Sequence, residues 1–463
     1  MSRLPERSVL AFGGMVGTAI VKEIPKALSM IGDNHSFTLL TGGTTTSFFE
    51  ECISSLNVVR RYPVASGKIS RALANKDLVK VVDYWLSEYS RLVRNGGIPQ
   101  AEKIDVAFVE STGVTEEGII PSLSLDAAPS FVTAAEKVVV EVNVAKPVLY
   151  GLHDVFLPRE NEPVTIKDPM DRIGEPVIKC PRDKIIGIIP TDKPESVADA
   201  YGGVGRDELL IAENISDLLE KKVGLPVLRK KHTVQPGAGP LASALLKQFG
   251  LDGLKVWSEA ITVDWVQAIG EKVASISTSC IYALRGQENI MNRIYDELTS
   301  LQKNLVLRPY EITNRPEIIS QMKLISVQQA IEVDIYGNVN ITHIGGDIYN
   351  GVGGSGDFSR NAALTVVALP STTGNGNYSR IVPICSHVDV PEHDVDFVVT
   401  EMGWADLRGL SPRERARLII EKCSHPKFAD DLRQYFEEAS RTGGHQPVSW
   451  RAALAFREKM GQS

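Results

Sequence analysis

The segment Lys137-Val-Val-Val-Glu-Val-Asn143 is a short run of mostly β-branched residues that ends in a polar side chain. Asp105-Val-Ala-Phe-Val-Glu110 precedes it and Lys184-Ile-Ile-Gly-Ile-Ile189 follows it, with Pro190 expected to end the last run. Strands of a parallel sheet are buried on both faces, so their apolar residues are continuous instead of alternating. Turn residues and a short helical stretch at 111–136 separate the first two runs. The pattern predicts an α/β domain with a parallel sheet.

The second half of the chain repeats this style. Leu324–Val327, Leu364–Leu369 and Asp396–Thr400 have the length and composition of buried strands. A helix is predicted from Asp207 to Lys222, and the end of the chain is predicted to be helical and charged from Ser411 onwards.

The length of 463 residues implies more than one domain, because single hydrophobic cores stop growing near ~250–300 residues. We place a boundary near residue 220. This predicts an N-terminal domain at 1–220 and a C-terminal domain at 221–463.

Composition excludes several classes of protein. Hydrophobic residues make up 43% and charged residues 23% of the chain, which are ordinary globular values. The net charge of −7 argues against nucleic acid or an anionic membrane as the main partner. Five widely spaced cysteines without a CxxC pair indicate reduced thiols. No apolar stretch approaches the ~18–20 residues of a membrane span. We expect a cytoplasmic protein.

The first 23 residues leave alternatives for targeting. Arg3 and Arg7 precede an apolar run from Val9 to Val21, which superficially resembles a signal peptide. Three glycines interrupt the run and no clear cleavage site follows, so a strand followed by a Gly-rich turn explains it better. A mitochondrial origin stays open, although the segment contains two glutamates and only two arginines, which is atypical of a transit peptide.

The segment Asn350-Gly-Val-Gly-Gly-Ser-Gly-Asp-Phe358 holds four glycines in six positions, which lets backbone N–H groups converge on a ligand. Its glycines match GxGxxG, but a dinucleotide site also needs a preceding strand and an acid roughly 20 residues further on. No acidic residue lies between Asp357 and Asp389, so NAD or FAD is not expected. A ligand loop and a tight structural loop both remain open.

Two further segments hold candidate chemistry. Gln235-Pro-Gly-Ala-Gly-Pro240 precedes an apolar stretch, and Pro240 suits the first position of a helix whose free N–H groups bind anions. A plain helix start explains it equally well. Glu259, in Trp257-Ser-Glu-Ala260, is a lone carboxylate in an apolar stretch. A desolvated carboxylate can attack an acyl carbonyl and form an anhydride, although most lone glutamates are solvated.

Metal and hydrolase alternatives have weaker support. His387 and His393 lie six residues apart in a loop-like segment, which is not the spacing of two ligands on one helix face. A Ser-His-Asp site lacks a nucleophile elbow, and no pattern supports a catalytic cysteine. No metal is expected.

Eleven motifs occur in a fixed order along the chain. They are Asp105-Val-Ala-Phe-Val-Glu, Val140-Glu-Val-Asn143, Gly151-Leu-His-Asp154, Trp257-Ser-Glu259, Arg308-Pro-Tyr-Glu-Ile-Thr-Asn314, Glu332-Val-Asp-Ile-Tyr-Gly-Asn-Val-Asn340, Gly351–Phe358, Ser386-His-Val-Asp389, Glu392-His-Asp394, Val399-Thr-Glu401 and Ala405-Asp-Leu-Arg-Gly-Leu-Ser-Pro-Arg-Glu-Arg415. Together they resemble the acetyl-CoA hydrolase/transferase family, the class I CoA-transferases that include succinyl-CoA:acetate and propionyl-CoA:succinate CoA-transferases. The resemblance covers nearly the whole chain and is densest between residues 305 and 425.

The resemblance implies two similar open α/β domains with the active site at their interface, usually in a homodimer. It also implies that Glu259 is the nucleophile of a double displacement through an acyl-glutamyl anhydride and a glutamyl-CoA thioester. Acyl-CoA and small carboxylates would be the substrates. No permanently bound cofactor, metal or ATP is needed, because the thioester energy is conserved.

Further site residues follow from the same resemblance. Asn314 would orient Glu259 or the acyl carbonyl, and the backbone amides of Ala238 and Gly354 would stabilise oxyanions. Glu401 matches a position near the active site, or has a purely structural role. Six glycines would contact CoA: Gly237, Gly239, Gly351, Gly353, Gly354 and Gly356.

Three segments depart from the family pattern and leave the substrate undefined. They are Gly237-Ala-Gly-Pro-Leu-Ala242, Val327-Gln-Gln329 and Phe12-Gly-Gly-Met-Val-Gly-Thr18. In relatives these positions line or neighbour the acyl pocket. The first hypothesis is a carboxylate CoA-transferase. The alternatives are an acyl-CoA hydrolase on the same scaffold and a catalytically weak acyl-CoA-binding protein.

Overall fold

A computed structural model describes residues 4–30, 35–63, 67–159, 162–198, 201–224, 232–248 and 252–460. The strands in the described part are β1 Arg7–Phe12, β2 Ser36–Thr41, β3 Val58–Tyr62, β4 Lys80–Val81, β5 Ile104–Val114, β6 Ile119–Pro121, β7 Ala135–Asn143, β8 Ile185–Thr191, β9 Val234–Gln235, β10 Leu254–Thr262, β11 Val273–Tyr282, β12 Leu305–Leu307, β13 Ile325–Gln329, β14 Glu332–Asp334, β15 Val339–Asn340, β16 His343–Ile344, β17 Asp347–Ile348, β18 Leu364–Ala368, β19 Thr372–Thr373, β20 Tyr378–Ser379, β21 Ile381–Val382, β22 Phe397–Thr400 and β23 Gly403–Asp406.

The α-helices in the described part are Glu23–Leu28, Ser47–Ser54, Lys68–Asn75, Leu86–Arg94, Ala128–Ala134, Arg206–Lys222, Gly239–Gln248, Val263–Gln267, Glu288–Asp296, Leu298–Leu301, Tyr310–Thr313, Pro316–Gln321, Ser355–Asn361, Pro412–Cys423, Pro426–Arg441 and Trp450–Lys459. Two short 3₁₀ turns occur at Arg182–Lys184 and Glu392–Asp394. Within the described ranges, no helix is both long enough and apolar enough to cross a membrane.

The chain forms two compact units, each built from separate stretches of sequence. Unit 1 comprises Met1–Gly203, Asp252–Met322 and Gly351–Asp357, and unit 2 comprises Val204–Leu251, Lys323–Asn350 and Phe358–Ser463. The predicted cut near residue 220 assigned Glu259 to a C-terminal domain, whereas this residue lies in unit 1 with the N-terminal segments. The division into domains at 1–220 and 221–463 remains a prediction made from the sequence.

Unit 1 contains a predominantly parallel sheet with the order β4-β3-β2-β1-β5-β7-β8, and β6 pairs antiparallel with β5. The sequence predicted β5 and β7 correctly. β8, however, continues through Pro190 to Thr191 instead of ending before the proline. β8 is the edge strand, and a proline is tolerated there because its missing N–H need not join the ladder.

The N-terminal apolar run is β1 followed by a turn, as expected. β1 pairs in parallel with β2 and β5, and Phe12 stacks on Phe108 with ring centroids 4.9 Å apart. Gly14 in the turn has φ +105°, and an added Cβ would lie 2.7 Å from the Ala19 carbonyl oxygen, so the turn requires glycine there.

Unit 1 also contains three parallel strands in the order β10-β11-β12. Their side chains are almost entirely apolar or small, and Trp257, Ile276 and Val306 are fully buried. Continuous burial of this kind explains why these strands show no alternation of apolar and polar residues.

Unit 2 is built on β9-β13-β18-β22, which are parallel, with β23 antiparallel at the end. The helix Arg206–Lys222 packs on Gly239–Gln248, and its bounds agree with the predicted helix. The helix Pro412–Cys423 begins after Ser411, whose N–H donates to Glu414 Oε2 at 2.9 Å in a capping box. The predicted α/β class with two parallel-sheet domains is confirmed.

Candidate active site

Glu259 lies near the middle of β10, and its neighbours fix the strand. Trp257 is fully buried, and its indole N–H donates to the Thr313 carbonyl at 2.7 Å. The Thr278 hydroxyl on β11 donates to the Glu259 carbonyl oxygen at 3.3 Å. Glu259 itself keeps some exposed surface between buried Ser258 and Ala260. The backbone that carries this carboxylate is therefore held on both sides.

Asn314 places its amide directly on the Glu259 carboxylate. It follows the short helix Tyr310–Thr313 and is fully buried. Its Nδ2 donates to Glu259 Oε2 at 2.5 Å, and its Oδ1 accepts from the Thr313 hydroxyl at 2.8 Å. Because Oδ1 is held by a donor, the amide group presents its N–H side to Glu259.

Buried ion pairs fix the segment that carries Asn314. The guanidinium of Arg308 is completely buried, pairs with Asp154 and donates to the Ser277 hydroxyl at 2.8 Å. Glu311 accepts two hydrogen bonds, at 2.5 and 2.8 Å, from Arg94 at the end of the helix Leu86–Arg94. The motif Arg308–Asn314 therefore acts as a buried scaffold whose last residue reaches the carboxylate.

Asp357 is a site residue that the sequence analysis missed. It is 6% exposed, and its carboxylate accepts from the backbone N–H of Ser87 at 3.1 Å and from the Ser87 hydroxyl at 2.6 Å. The same Nδ2 of Asn314 that contacts Glu259 lies 3.4 Å from Asp357 Oδ2. The sequence signal for Asp357 was its position directly after the Gly-rich run.

The Gly-rich segment 351–357 approaches the carboxylate through its backbone. Gly353 has φ +57°, and a Cβ built on it would lie 3.9 Å from Glu259 Oε1. At Gly356 an added Cβ would lie 2.3 Å from the indole of Trp85, so only glycine fits against that ring. Gly351 starts the segment, and Gly354 is buried between Gly353 and the helix Ser355–Asn361.

Residues 83–87 hold this segment in place and were also missed. The Val352 N–H donates to Asp83 Oδ2 at 2.6 Å, and the Leu86 N–H donates to the Gly353 carbonyl at 3.3 Å. Nothing in the sequence linked a stretch near residue 85 to one near residue 355, because the contact exists only in the fold.

The remaining predicted residues lie in unit 2. Gly237 and Gly239 have φ +78° and +69°, and the helix Gly239–Gln248 starts one residue before Pro240, the predicted first position. The carbonyl of Ala238 accepts a hydrogen bond from the Gln329 amide. Glu401 accepts from the backbone N–H of Ser371 at 2.7 Å and from its hydroxyl, so it fixes a local turn. Of the predicted residues, the fold brings Glu259, Asn314 and Gly353 together in unit 1.

The unusual Val327-Gln-Gln329 segment has local partners in unit 2. Gln328 Nε2 and the Ser326 hydroxyl both donate to Gln235 Oε1 at 2.8 Å. These contacts tie β13 to β9, directly before the Gly237 loop. Gln329 is the residue of this segment that reaches the loop backbone, through its amide and the Ala238 carbonyl.

The electrostatics of the site follow from burial. Desolvation raises the pKa of Glu259 to about 7, the Asn314 hydrogen bond lowers it, and the charge of Asp357 raises it further. Desolvation also raises the pKa of Asp357 to about 6, against the opposing hydrogen bonds from Ser87. Glu259 is therefore a basic carboxylate that still ionises near neutral pH, as a carboxylate nucleophile requires.

The histidine pair that suggested a metal is not assembled as a metal site. His387 Nε2 lies 3.2 Å from Asp389 Oδ1, and its ring lies 4.1 Å from that of His343, while His393 falls in the 3₁₀ turn Glu392–Asp394. Across the described ranges, no group of three or more His, Cys, Asp and Glu side chains is arranged to hold a metal.

Comparison with known proteins decides the family. The model of the acetyl-CoA hydrolase/transferase N-terminal domain matches residues 6–195, and that of the C-terminal domain matches residues 291–436. The chain belongs to the acetyl-CoA hydrolase/transferase family. The predicted resemblance is thereby confirmed.

Individual relatives of this family carry two activities. The chain is 36% identical to the succinyl-CoA:acetate CoA-transferase of Clostridium kluyveri, over 97% of this chain and 86% of that protein. It is 34% identical to the acetyl-CoA hydrolase of Schizosaccharomyces pombe, over 95% of this chain and 89% of that protein. The crystal structure of RipA from Yersinia pestis has the same fold, with a TM-score of 0.73, 21% identity and coverage of 93% and 94%. The protein is an enzyme of the acetyl-CoA hydrolase/transferase class.

Proposed function

We propose that the protein is an acyl-CoA:carboxylate CoA-transferase that moves CoA between a short-chain acyl-CoA and a carboxylate acceptor. The observation that carries this proposal is the Glu259 carboxylate, which is held by the Asn314 amide at 2.5 Å in desolvated surroundings and faces the backbone of Gly353. A basic, oriented carboxylate is what attack on a thioester requires.

The first half-reaction exchanges the carboxylate for CoA. A Glu259 oxygen attacks the thioester carbonyl, the C–S bond breaks, and CoA leaves as a thiolate. The acyl group is then bound to Glu259 as an acyl-glutamyl anhydride. The thiolate then attacks the γ-carbonyl of Glu259, which releases the free carboxylate and leaves a glutamyl-CoA thioester. No proton is gained or lost overall, so the reaction needs no separate general acid.

The second half-reaction repeats these steps in reverse with the acceptor carboxylate, which leaves as the new acyl-CoA. Each tetrahedral intermediate carries an oxyanion, and one backbone donor to it is worth about 3 kcal/mol. The backbone amides of Ala238 and Gly354 are our proposed donors. Contacts from the six glycines to CoA, a role for Glu401, a homodimeric assembly and a cytoplasmic location also belong to the proposal.

Hydrolysis of acyl-CoA is the second candidate function, because the chain matches an acetyl-CoA hydrolase nearly as well as a transferase. It would use the same anhydride on Glu259, with water in place of the second carboxylate and release of one proton. The two functions therefore differ in what reaches the covalent intermediate.

Mass spectrometry of CoA species separates the two functions. The protein is mixed with acetyl-, propionyl-, butyryl- or succinyl-CoA, each with and without a panel of carboxylates. New acyl-CoA that forms only with an acceptor supports the transferase, and free CoA that accumulates equally without one supports the hydrolase. Glu259→Gln should abolish either activity with the fold intact, while the exposed Glu271→Gln should not. Near-normal turnover of Glu259→Gln would refute the proposed nucleophile.

A further inference from the structure

One amide nitrogen serves two carboxylates at the site. Asn314 Nδ2 lies 2.5 Å from Glu259 Oε2 and 3.4 Å from Asp357 Oδ2. An amide nitrogen carries two hydrogens, so each carboxylate has one available. The Thr313 hydroxyl holds the other end of the Asn314 side chain, which leaves the amide little freedom to turn.

Asp357 is itself anchored from a different part of the chain. Its two oxygens accept the hydroxyl and the backbone N–H of Ser87, at the start of the helix Leu86–Arg94. Both donors favour the ionised form of the carboxylate. Burial raises the pKa of Asp357 to about 6, so at pH 8 this carboxylate is ionised, and the two donors hold it in place.

We propose that Asp357 is a positioning residue for the covalent chemistry of Glu259. Asp357 accepts a hydrogen bond from the second N–H of the Asn314 amide. Its negative charge lies beside Glu259 and favours each covalent state of Glu259 over the free carboxylate. This inference rests on the proposed function, because it concerns the intermediates formed on Glu259. Asp357 neither forms a bond to substrate nor transfers a proton.

The physical reason is the change of charge on Glu259. The free side chain carries one negative charge, whereas the anhydride and the thioester carry none on the γ-carboxyl group. Repulsion from Asp357 therefore acts on the free enzyme and disappears when Glu259 is acylated or bound to CoA. The same repulsion keeps the carboxylate basic, and a more basic nucleophile attacks a carbonyl more readily.

Other ionisable groups face these two carboxylates. Tyr201 and Tyr310 lie near Glu259, and burial raises the pKa of both phenols, so they are neutral at the working pH. Arg94 lies on the helix that carries Ser87, and Glu311 lies just before Asn314. These two side chains form an ion pair with each other. Glu88 faces Asp357 from the same helix as Ser87, and its side chain is 56% exposed. Its exposed charge is screened, which makes it a matched control.

The test measures how much protein carries CoA covalently. The 463-residue protein is equilibrated with acetyl-CoA and acetate at a fixed ratio at pH 8, and intact mass gives the ratio of CoA-bound to free chain. We expect Asp357→Asn to lower this ratio about tenfold, the effect of one pKa unit on Glu259. Ser87→Ala should lower it less, and Glu88→Gln should leave it unchanged.

The pH profile supplies a readout that a purely structural role would not move. Without the charge of Asp357 the pKa of Glu259 falls, so the acidic limb of kcat/KM should shift to lower pH in Asp357→Asn. If Asp357→Asn does not fold, the same two measurements on Ser87→Ala decide the matter, and wild-type values there would refute the inference.

Two results distinguish the failures. The inference is overturned, and the proposed function stands, if a folded Asp357→Asn keeps the wild-type ratio of CoA-bound to free chain and the wild-type pH profile. The same holds if the variant only reacts more slowly while both measurements stay unchanged. A wild-type protein that forms no adduct with acetyl-, propionyl-, butyryl- or succinyl-CoA would overturn both.

Discussion

Replacing Glu259 by Gln should make the protein more stable while it removes activity. The folded pKa of this carboxyl is about 7, against an ordinary value of 4.5, because burial disfavours its charged form. The folded protein therefore holds this proton more tightly than the unfolded chain. Stability is unaffected below about pH 4.5, falls as the pH rises towards 7, and reaches its full loss above 7.

The difference between the two pKa values sets the size of the effect. Going from 4.5 to about 7 corresponds to roughly 3 kcal/mol at pH 8, as an upper bound. The substituted glutamine has the size of the native glutamate, carries no charge, and its carbonyl oxygen can still accept from the Asn314 amide. Under the proposed function, the unfavourable charge lowers the stability of the protein and makes the nucleophile more reactive.

The assay is thermal and urea unfolding of the wild type and Glu259→Gln between pH 4.5 and 8. We expect the unfolding free energy of the variant to exceed that of the wild type by a small amount at pH 4.5 and by a few kcal/mol at pH 8. Glu271→Gln, at an exposed position, controls for the isosteric change itself. A variant equal to or less stable than the wild type at pH 8 would refute the desolvation argument and with it the raised pKa of Glu259.

Two other predictions concern the scaffold. Gly356→Ala would place a methyl group against the Trp85 indole, so we expect a loss of about 1–3 kcal/mol in unfolding free energy together with a fall in kcat. A second change, Trp85→Leu, should restore part of the stability and part of kcat. If the losses from the two substitutions simply add, the proposed contact is contradicted. Arg308→Met would leave the Asp154 carboxylate buried without its partner at a cost of about 3–5 kcal/mol in urea unfolding, whereas the exposed Arg182→Met should change little.

Much of the fold could be predicted from local sequence. Continuous apolar runs predict the buried parallel strands β5, β7, β13, β18 and β22, because a strand covered on both faces has no solvent-exposed face on which polar residues would alternate. The helix that starts after Ser411 follows from its capping residues. Pro190 misled the prediction, since whether a proline ends a strand depends on whether that strand lies at an edge.

The candidate site divides in the same way. Glu259, Asn314 and the Gly-rich segment were identifiable from motifs, because each lies in a short stretch whose residue types are characteristic. Asp83, Trp85 and Ser87 were not, since they act through contacts with residues roughly 270 positions away. Asp357 was visible in the sequence, but its importance depends on burial and on the shared amide of Asn314.

The sequence by itself determined the class of fold and the family, and it singled out the carboxylate that we propose as the nucleophile. These properties depend on residue types and on their order along the chain. The tertiary structure alone decided which side chains surround that carboxylate and how readily it holds a proton. Burial and long-range contacts set both, because desolvation and neighbouring charge act through space and not along the chain.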